Sequence, residues 1–249
     1  MTEKYDHVKN SASAFSEKLK NLKAKLHVDF PWYPYDTFGN FWIIEPIITE
    51  KTDFLFYPKK KYADIGAADG DLSFFLESLG NDCDIYDNAP TNMNGLRGAN
   101  RLKEGLNSSV NIIECDLDSQ FDVEQKYDLI FFFGILYHLK NPFFVLEKLS
   151  SVSSYMFLST RIARHFRADA KNVSHVPAAY LVAPYELNND PSNFWIFSDA
   201  GLKRIIDRTG WDVIGYRTVG DTVDSNPYDD DRDERAFALL KSRRFGQRG

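Results

Sequence analysis

The chain has 249 residues, 43% of them hydrophobic and 27% charged, with a formal net charge of −6 at pH 7. That length can bury a real core as one domain with room for an extension, and the composition excludes disordered and fibrous classes. The acidic balance argues against a broad nucleic-acid surface, although a local basic patch is compatible with it. No apolar run approaches the roughly eighteen residues of a membrane span, so no membrane partner is expected. The start, MTEKYDHVKNSAS, lacks the apolar centre of a signal peptide. Cys83 and Cys115 fall in separate predicted strands without metal-type spacing. They read as reduced and buried, which places the chain in the cytoplasm with no metal.

In chain order, Phe15, Leu19, Leu22 and Leu26 recur at helical spacing and predict an amphipathic helix over 12–26. Lys18, Lys20, Lys23 and Lys25 crowd its other side, as a solvated basic face of a helix packed on the main domain, or as a lid or an RNA-facing surface. The segment FPWYPYDTFGNFW, 30–42, is too aromatic to be a free linker. It fills core or walls a pocket, with Trp32 and Tyr35 as the candidate substrate contacts. Ile43–Ile48 is expected to continue as a helix.

From residue 61 the alternation is regular. Strands are predicted at 61–65, 83–87, 110–116, 127–134 and 155–160. Helices are predicted at 70–79, at 91–106, and after Pro142 with Asn141 as N-cap. YDLIFFFG, 127–134, is the continuous apolar run of a central strand buried on both faces. Residues 161–195 break the rhythm and form a long irregular insertion, rich in aromatics and in Asn. A helix capped by Ser198 and stopped by Gly210 resumes the pattern. Strands at 211–219 and 235–241 follow, joined by an acidic loop expected to be solvated. The fold expected is a Rossmann-like doubly wound α/β sheet of about seven strands. It is mostly parallel, closes in a C-terminal antiparallel hairpin, and has helices on both faces. Residues 1–48 form a helical and aromatic cover, and 49–249 the main domain.

The chemistry is expected to centre on 61–71, KYADIGAADGD, where a strand, a tight turn and a helix N-terminus aim backbone N–H groups at a ligand. A dinucleotide fingerprint needs glycine at 66, 68 and 71; Ala68 and Asp71 break it. The pattern acidic-x-Gly-x-small-x-Gly, Asp64, Gly66, Ala68 and Gly70, instead resembles the first motif of class I S-adenosylmethionine (SAM) methyltransferases. Asp64 is then placed to accept from the ligand's ammonium, beside Gly66, Ala67 and Gly70. Asp87 ends strand 2 about twenty positions past the turn, with Asn88 next to it, where an acid accepts ribose hydroxyls. Asp116 and Leu117 end strand 3 and suit an adenine, and Phe133 ends strand 4. Each acid alone also reads as a solvated strand-end residue.

The run FFGILYHLKNP, 132–142, is similar to the strand-4 motif of the same family. It is most similar to the branch containing the bacterial tRNA wobble-uridine carboxymethyltransferase, with its G-V-L-Y-H pattern. The closing ERAFALLK matches that family's last strand. The resemblance implies that Tyr137 and Arg235 contact the sulfonium substituent of a carboxylated SAM. The N-terminal region here is shorter and lacks that branch's basic motif, and plain SAM is the donor expected. His138 is the candidate general base, with Tyr137 beside it; a histidine there also caps loops. His165 and His175 are secondary candidates. Arg161 and Arg164 suit a carboxylate or phosphate on the substrate, or form a solvated pair. Tyr185, Asn189 and Trp195 suit a polar, ring-containing acceptor.

The function expected is methyl transfer to an O or N atom of a polar small molecule or glycan-like acceptor. The alternatives are modification of a tRNA wobble uridine and a SAM-binding protein without catalysis.

Overall fold

The structure is a computed structural model that describes residues 3–119, 121–167, 171–229 and 231–246. Parts of the predicted insertion and acidic loop lie outside them. The chain folds as two compact units, Met1–Asp116 with Lys126–Phe131, and Leu117–Gln125 with Phe132–Gly249. Among the described residues no helix is long and apolar enough to cross a membrane.

The first unit opens with α1 (Glu3–Lys25), longer than the spacing predicted. The apolar stripe starts early: Tyr5, Val8, Ala12, Phe15 and Leu19 are all buried. Tyr5 was hidden among charged neighbours, yet its hydroxyl donates to Phe41 O at 2.6 Å and its ring meets Phe56 at 5.0 Å. The stretch 43–48 is not one helix. Pro46 cuts it into α2 (Asn40–Ile44) and a 3₁₀ turn at Glu45–Ile47. Then come β1 (Lys61–Ile65), α3 (Asp71–Ser78), β2 (Asp82–Asp87), α4 (Arg97–Leu106), β3 (Asn111–Glu114) and β4 (Tyr127–Phe133). β3, β2, β1 and β4 pair in that order, all parallel. Phe15 and Phe41 pack on Phe75 of α3 at 5.7 and 5.5 Å.

α4 starts six residues later than the helix predicted at 91–106. Asn92 Oδ1 accepts from the backbone N–H of Asn94 and Leu96, and Asn94 Oδ1 accepts from Gly98 N–H. These side chains compete with the helix for its own donors, and Gly95 and Leu96 turn left-handed. Cys83 lies within β2, whereas Cys115 falls just past β3; both are free thiols and buried.

The second unit receives the end of β4, then α5 (Pro142–Val152), β5 (Ser153–Ile162), β6 (Ala179–Leu181), β7 (Trp195–Phe197), α6 (Asp199–Arg208), β8 (Trp211–Gly220) and β9 (Glu234–Ser242). The predicted caps are present. Asn141 accepts from Phe144 N–H, and Ser198 Oγ from Gly201 N–H. β9 pairs antiparallel with β5 from Tyr155↔Lys241 to Ile162↔Glu234, and with β8 on its other side. This is the expected closing hairpin in a mostly parallel sheet. The insertion contributes β6, which pairs antiparallel with β7 at its end, and β7 meets β5 at Ile162↔Phe197. Val182 and Leu187 of the insertion are buried with Ile196 of β7 and Ala163, with Tyr137, Phe166 and Tyr180 packed around them.

The acidic loop is not simply solvated. Glu234 is fully buried and accepts from Arg164 Nε at 2.8 Å, Arg164 Nη2 at 2.6 Å and Ser225 Oγ at 2.7 Å. Arg161 Nη2 donates to the carbonyls of Asn226 and Asp229, and its Nε lies 2.9 Å from Asp233 Oδ1 as an ion pair. Arg164→Ala leaves the Glu234 charge buried with one hydroxyl donor, so a loss of about 3–5 kcal/mol is expected in chemical denaturation. The double variant Arg164→Ala/Glu234→Gln is expected to recover part of that loss.

Candidate functional site

In the first unit the turn after β1 is built by three left-handed residues: Gly66 (φ 72°), Ala68 (φ 57°) and Gly70 (φ 80°). A Cβ at Gly70 would stand 2.7 Å from Ile85 Cδ1, so glycine is required there for space as well as for φ. Ala68 adopts that conformation despite its Cβ, at a cost of about 1–2 kcal/mol. Its N–H donates to Asp87 Oδ2 at 3.0 Å, which offsets the strain. Gly66 N–H donates to Tyr86 O at 2.7 Å and Gly70 N–H to Ala67 O at 2.8 Å.

Asp87 also accepts from Asn88 N–H at 2.7 Å and Asn92 Nδ2 at 3.0 Å. With about four acceptor sites on a carboxylate, three are used and one further donor is accommodated on Oδ1. Burial raises its pKa, against those three bonds. Asp64 is 7% exposed, and its Oδ2 accepts from Ser73 Oγ at 3.1 Å. Burial, then the Asp87 and Asp71 charges, push its pKa up to about 7, against the Ser73 bond. Asn88 Nδ2 donates to Thr91 Oγ1. Asp116 lies beyond the end of β3 and is half-buried.

The sequence reading did not single out Asp69, which is 1% exposed. Its Oδ2 accepts from Tyr33 N–H at 2.8 Å and Lys23 Nζ at 3.2 Å, and its Oδ1 from Asn94 Nδ2 at 2.8 Å. Lys23 also reaches Asp71 Oδ2 at 2.9 Å, so it is paired rather than part of a solvated basic face. Asp71 Oδ1 is buried with no hydrogen-bond partner. Tyr33 OH accepts from Met93 N–H at 2.7 Å, and burial raises its pKa to about 12. Lys23 Nζ sits 5.2 Å over the Trp32 ring, whereas Tyr35 is 71% exposed. The available signal for Asn92 and Asn94 was the run NAPTNMNG, whose Asn, Pro and Gly density marks a turn. Asp69 carried no such signal.

In the second unit Leu117 is buried, and Phe133 packs 6.3 Å from Phe237. Gly134 (φ 72°) follows, with its N–H donating to Ser159 O at 2.9 Å. A 3₁₀ turn, Leu136–His138, then presents Tyr137 and His138 with ring centres 4.4 Å apart. Arg235 Nη1 reaches Tyr137 OH at 3.5 Å, its guanidinium lies 5.9 Å from the Tyr137 ring, and its Nε donates to Asp233 Oδ2 at 3.2 Å. Tyr137 and Arg235 are thus brought together. His138 Nδ1 lies 3.0 Å from Ser192 Oγ and 3.2 Å from Ser192 O. Burial lowers its pKa, with the Arg235 charge adding to this and the Ser192 bond and Asp190 opposing it. Burial thus favours the neutral ring.

The other substrate candidates each have contacts or exposure of their own. Arg161 and Arg164 hold the groups of the acidic loop described above. Trp195 Nε1 donates to Lys140 O at 3.3 Å. Tyr185 is 76% exposed, and Asn189 is exposed in a left-handed run with Leu187 and Asn188. His165 Nε2 lies 3.9 Å from Asp224, and His175 is exposed. Among the described residues no group of three or more His, Cys, Asp or Glu could hold a metal ion.

A scan against protein-family models and a search of curated proteins found no match. Solved structures do match in fold. The SAH-bound N-terminal domain of EvdMO1 has a TM-score of 0.55 at 15% identity, covering 91% of this chain and 96% of that one. A Pyrococcus horikoshii protein has a TM-score of 0.54 at 13% identity, covering 82% and 90%. The Burkholderia thailandensis 1,6-didemethyltoxoflavin N1-methyltransferase, solved with that compound and S-adenosylhomocysteine, has 0.50 at 14% identity, covering 74% and 72%. At these identities the likeness is one of fold, and the fold is the Rossmann-like one of SAM-dependent methyltransferases.

The Asp64 carboxyl gives a pH-dependent expectation. Its folded-state pKa of about 7 lies above its ordinary value of 3.8. The stabilisation it brings is therefore complete below the ordinary value and lost as pH rises through about 7, with an upper bound of about 4 kcal/mol. Asp64→Asn keeps an acceptor for Ser73 and removes the charge. Thermal melts between pH 5 and 8 are expected to fall less steeply for the variant than for the wild type.

Proposed function

We propose that this chain is a SAM-dependent methyltransferase acting on an O or N atom of a polar small molecule or glycan-like acceptor. The observation that carries the reading is the turn after β1, locked by Asp87 at the end of β2, within a methyltransferase-type sheet. Its residues fit the donor. Asp87 has capacity for one more hydrogen-bond donor, as a ribose hydroxyl supplies. The buried, unpartnered Asp71 Oδ1 beside Asp64 suits a cationic amino-acid end, since an unsatisfied carboxylate oxygen is costly. Gly66, Ala67, Gly70, Asn88, Asp116, Leu117 and Phe133 complete the set proposed for the cofactor.

SAM supplies a methyl group on a sulfonium, activated for in-line displacement. The chain's part is to orient the acceptor, exclude water and take its proton. His138, whose neutral form burial favours, is the proposed base, with Tyr137 beside it. Tyr185, Asn189 and Trp195, with Trp32 and Tyr35 of the 1–48 cover, are the proposed acceptor contacts. Arg161 and Arg164 rank behind them, because the acidic loop already engages both. Two structural relatives support a small, ring-containing acceptor. The N-terminal domain of EvdMO1 was also solved in the presence of SAH and D-fucose, and the Burkholderia enzyme with 1,6-didemethyltoxoflavin. The buried free thiols accord with a cytoplasmic site of action.

A second reading, the tRNA wobble-uridine branch with a carboxylated donor, has one observation in its favour: Arg235 lies against Tyr137, the pair that resemblance names.

Calorimetry separates these readings from a fold without cofactor. Wild type is expected to bind SAM and S-adenosylhomocysteine, and Asp87→Ala to weaken both at least tenfold, about 1.5–3 kcal/mol for a bond to a charged group. Asp87→Asn, which retains the shape, is expected to fall between. Unchanged affinity in a folded variant removes the assignment.

The donor is decided at Arg235. With plain SAM, Arg235→Ala is expected to change donor affinity little. If wild type instead prefers the carboxylated donor and the variant loses that preference by about 2–3 kcal/mol, the second reading replaces the first.

A further inference from the structure

His138 has a partner arrangement that the sequence did not single out. Ser192 Oγ donates its only proton to Asp190 Oδ1 at 2.6 Å, and Ser192 N–H donates to the same oxygen at 2.9 Å. With that proton committed, Ser192 Oγ meets His138 Nδ1 at 3.0 Å as an acceptor. The second neighbour of Nδ1, Ser192 O at 3.2 Å, is a carbonyl and can only accept. Both contacts therefore require the proton on Nδ1, which leaves the Nε2 lone pair bare in the neutral ring. Among the described residues Nε2 has no hydrogen-bond partner. The backbone holds the arrangement in place: Asn193 N–H donates to Asp190 O, and Phe194 N–H to Tyr137 O at 2.8 Å.

We propose that Asp190 and Ser192 are positioning residues that hold His138 as the Nδ1–H tautomer, so that Nε2 is the atom that takes the proton of the acceptor. This rests on the methyltransferase reading above. As the acceptor's O or N lone pair forms the new bond to carbon and the carbon–sulfur bond breaks, the acceptor's proton passes to Nε2. The resulting imidazolium keeps Nδ1–H on Ser192, whose hydroxyl stays on the Asp190 carboxylate. The proton on Nε2 later leaves to water. The charged and titratable groups facing the ring are Asp190, which favours the imidazolium, and Arg235, which opposes it, with the Tyr137 ring alongside.

The test is spectroscopic and needs no identified acceptor. In protein carrying ¹⁵N-labelled histidine, long-range ¹H–¹⁵N correlation identifies the ring tautomer, with His138→Gln assigning the signal among the five histidines. The expected result is Nδ1–H with Nε2 bare in the wild type at pH 8. Asp190→Asn is expected to lower the His138 titration midpoint by at least about half a unit, because the favourable charge is lost, and to admit the Nε2–H form. Asp190→Glu is expected to restore both. Ser192→Ala, a second route if Asp190→Asn fails to fold, is expected to lower the midpoint as well. A wild-type ring protonated mainly on Nε2 overturns the proposal, as does an unchanged tautomer and midpoint in folded Asp190→Asn. Calorimetry with SAM on the same samples distinguishes the two failures. Loss of SAM binding by wild type refutes the function, whereas normal SAM binding with an unmoved His138 refutes only the positioning role.

Discussion

A carboxylate buried away from water has to be paired, and Asp69 meets that constraint by gathering distant segments around one turn. Its oxygens take Lys23 from α1, the Tyr33 backbone from the aromatic segment, and Asn94 from the loop after β2. Removing any of these leaves a charge with fewer donors in a site without solvent. Gly98 is part of the same constraint: a Cβ there would meet Asp69 Oδ1 at 2.0 Å. The helix, the aromatic segment and the β2 loop are therefore fastened to the turn that carries Gly66, Ala68 and Gly70.

The second unit solves the same problem differently. Glu234 at the start of β9 is fully buried and takes a two-pronged Arg164 plus Ser225. That arrangement anchors the acidic loop beside Arg161 and leaves Arg235 free to turn toward Tyr137. Adjacent residues in one strand thus divide the work. Glu234 faces inward and fixes the loop, while Arg235, on the opposite side of the pleat, contributes to the Tyr137–His138 cluster.

Much of the fold was legible because it depends on local period and punctuation. β1 matched its predicted limits, the Asn141 and Ser198 caps are formed, and the closing strands pair antiparallel. The turn glycines were legible because left-handed backbone has few alternatives. The late start of α4 was not, because Asn92 and Asn94 draw backbone donors from the helix that its apolar pattern suggested. Tyr5 was obscured by a polar neighbourhood, although its own spacing with Val8 and Ala12 was present.

The sequence by itself determined which residue types stand at each strand end, since a parallel α/β alternation delivers the residue after each strand to the same edge. Asp64, Asp87 and His138 could be named on that ground, and Tyr137 from the family resemblance. Only the tertiary structure decided what those groups touch. Asp87 spends one acceptor site on the turn and two on the loop after β2, Arg164 is consumed by a glutamate seventy positions away, and His138 meets Ser192 across fifty-four. Such pairings depend on which buried charge finds which donor, and that choice is made in three dimensions at short range. Period and spacing along the chain carry no record of it.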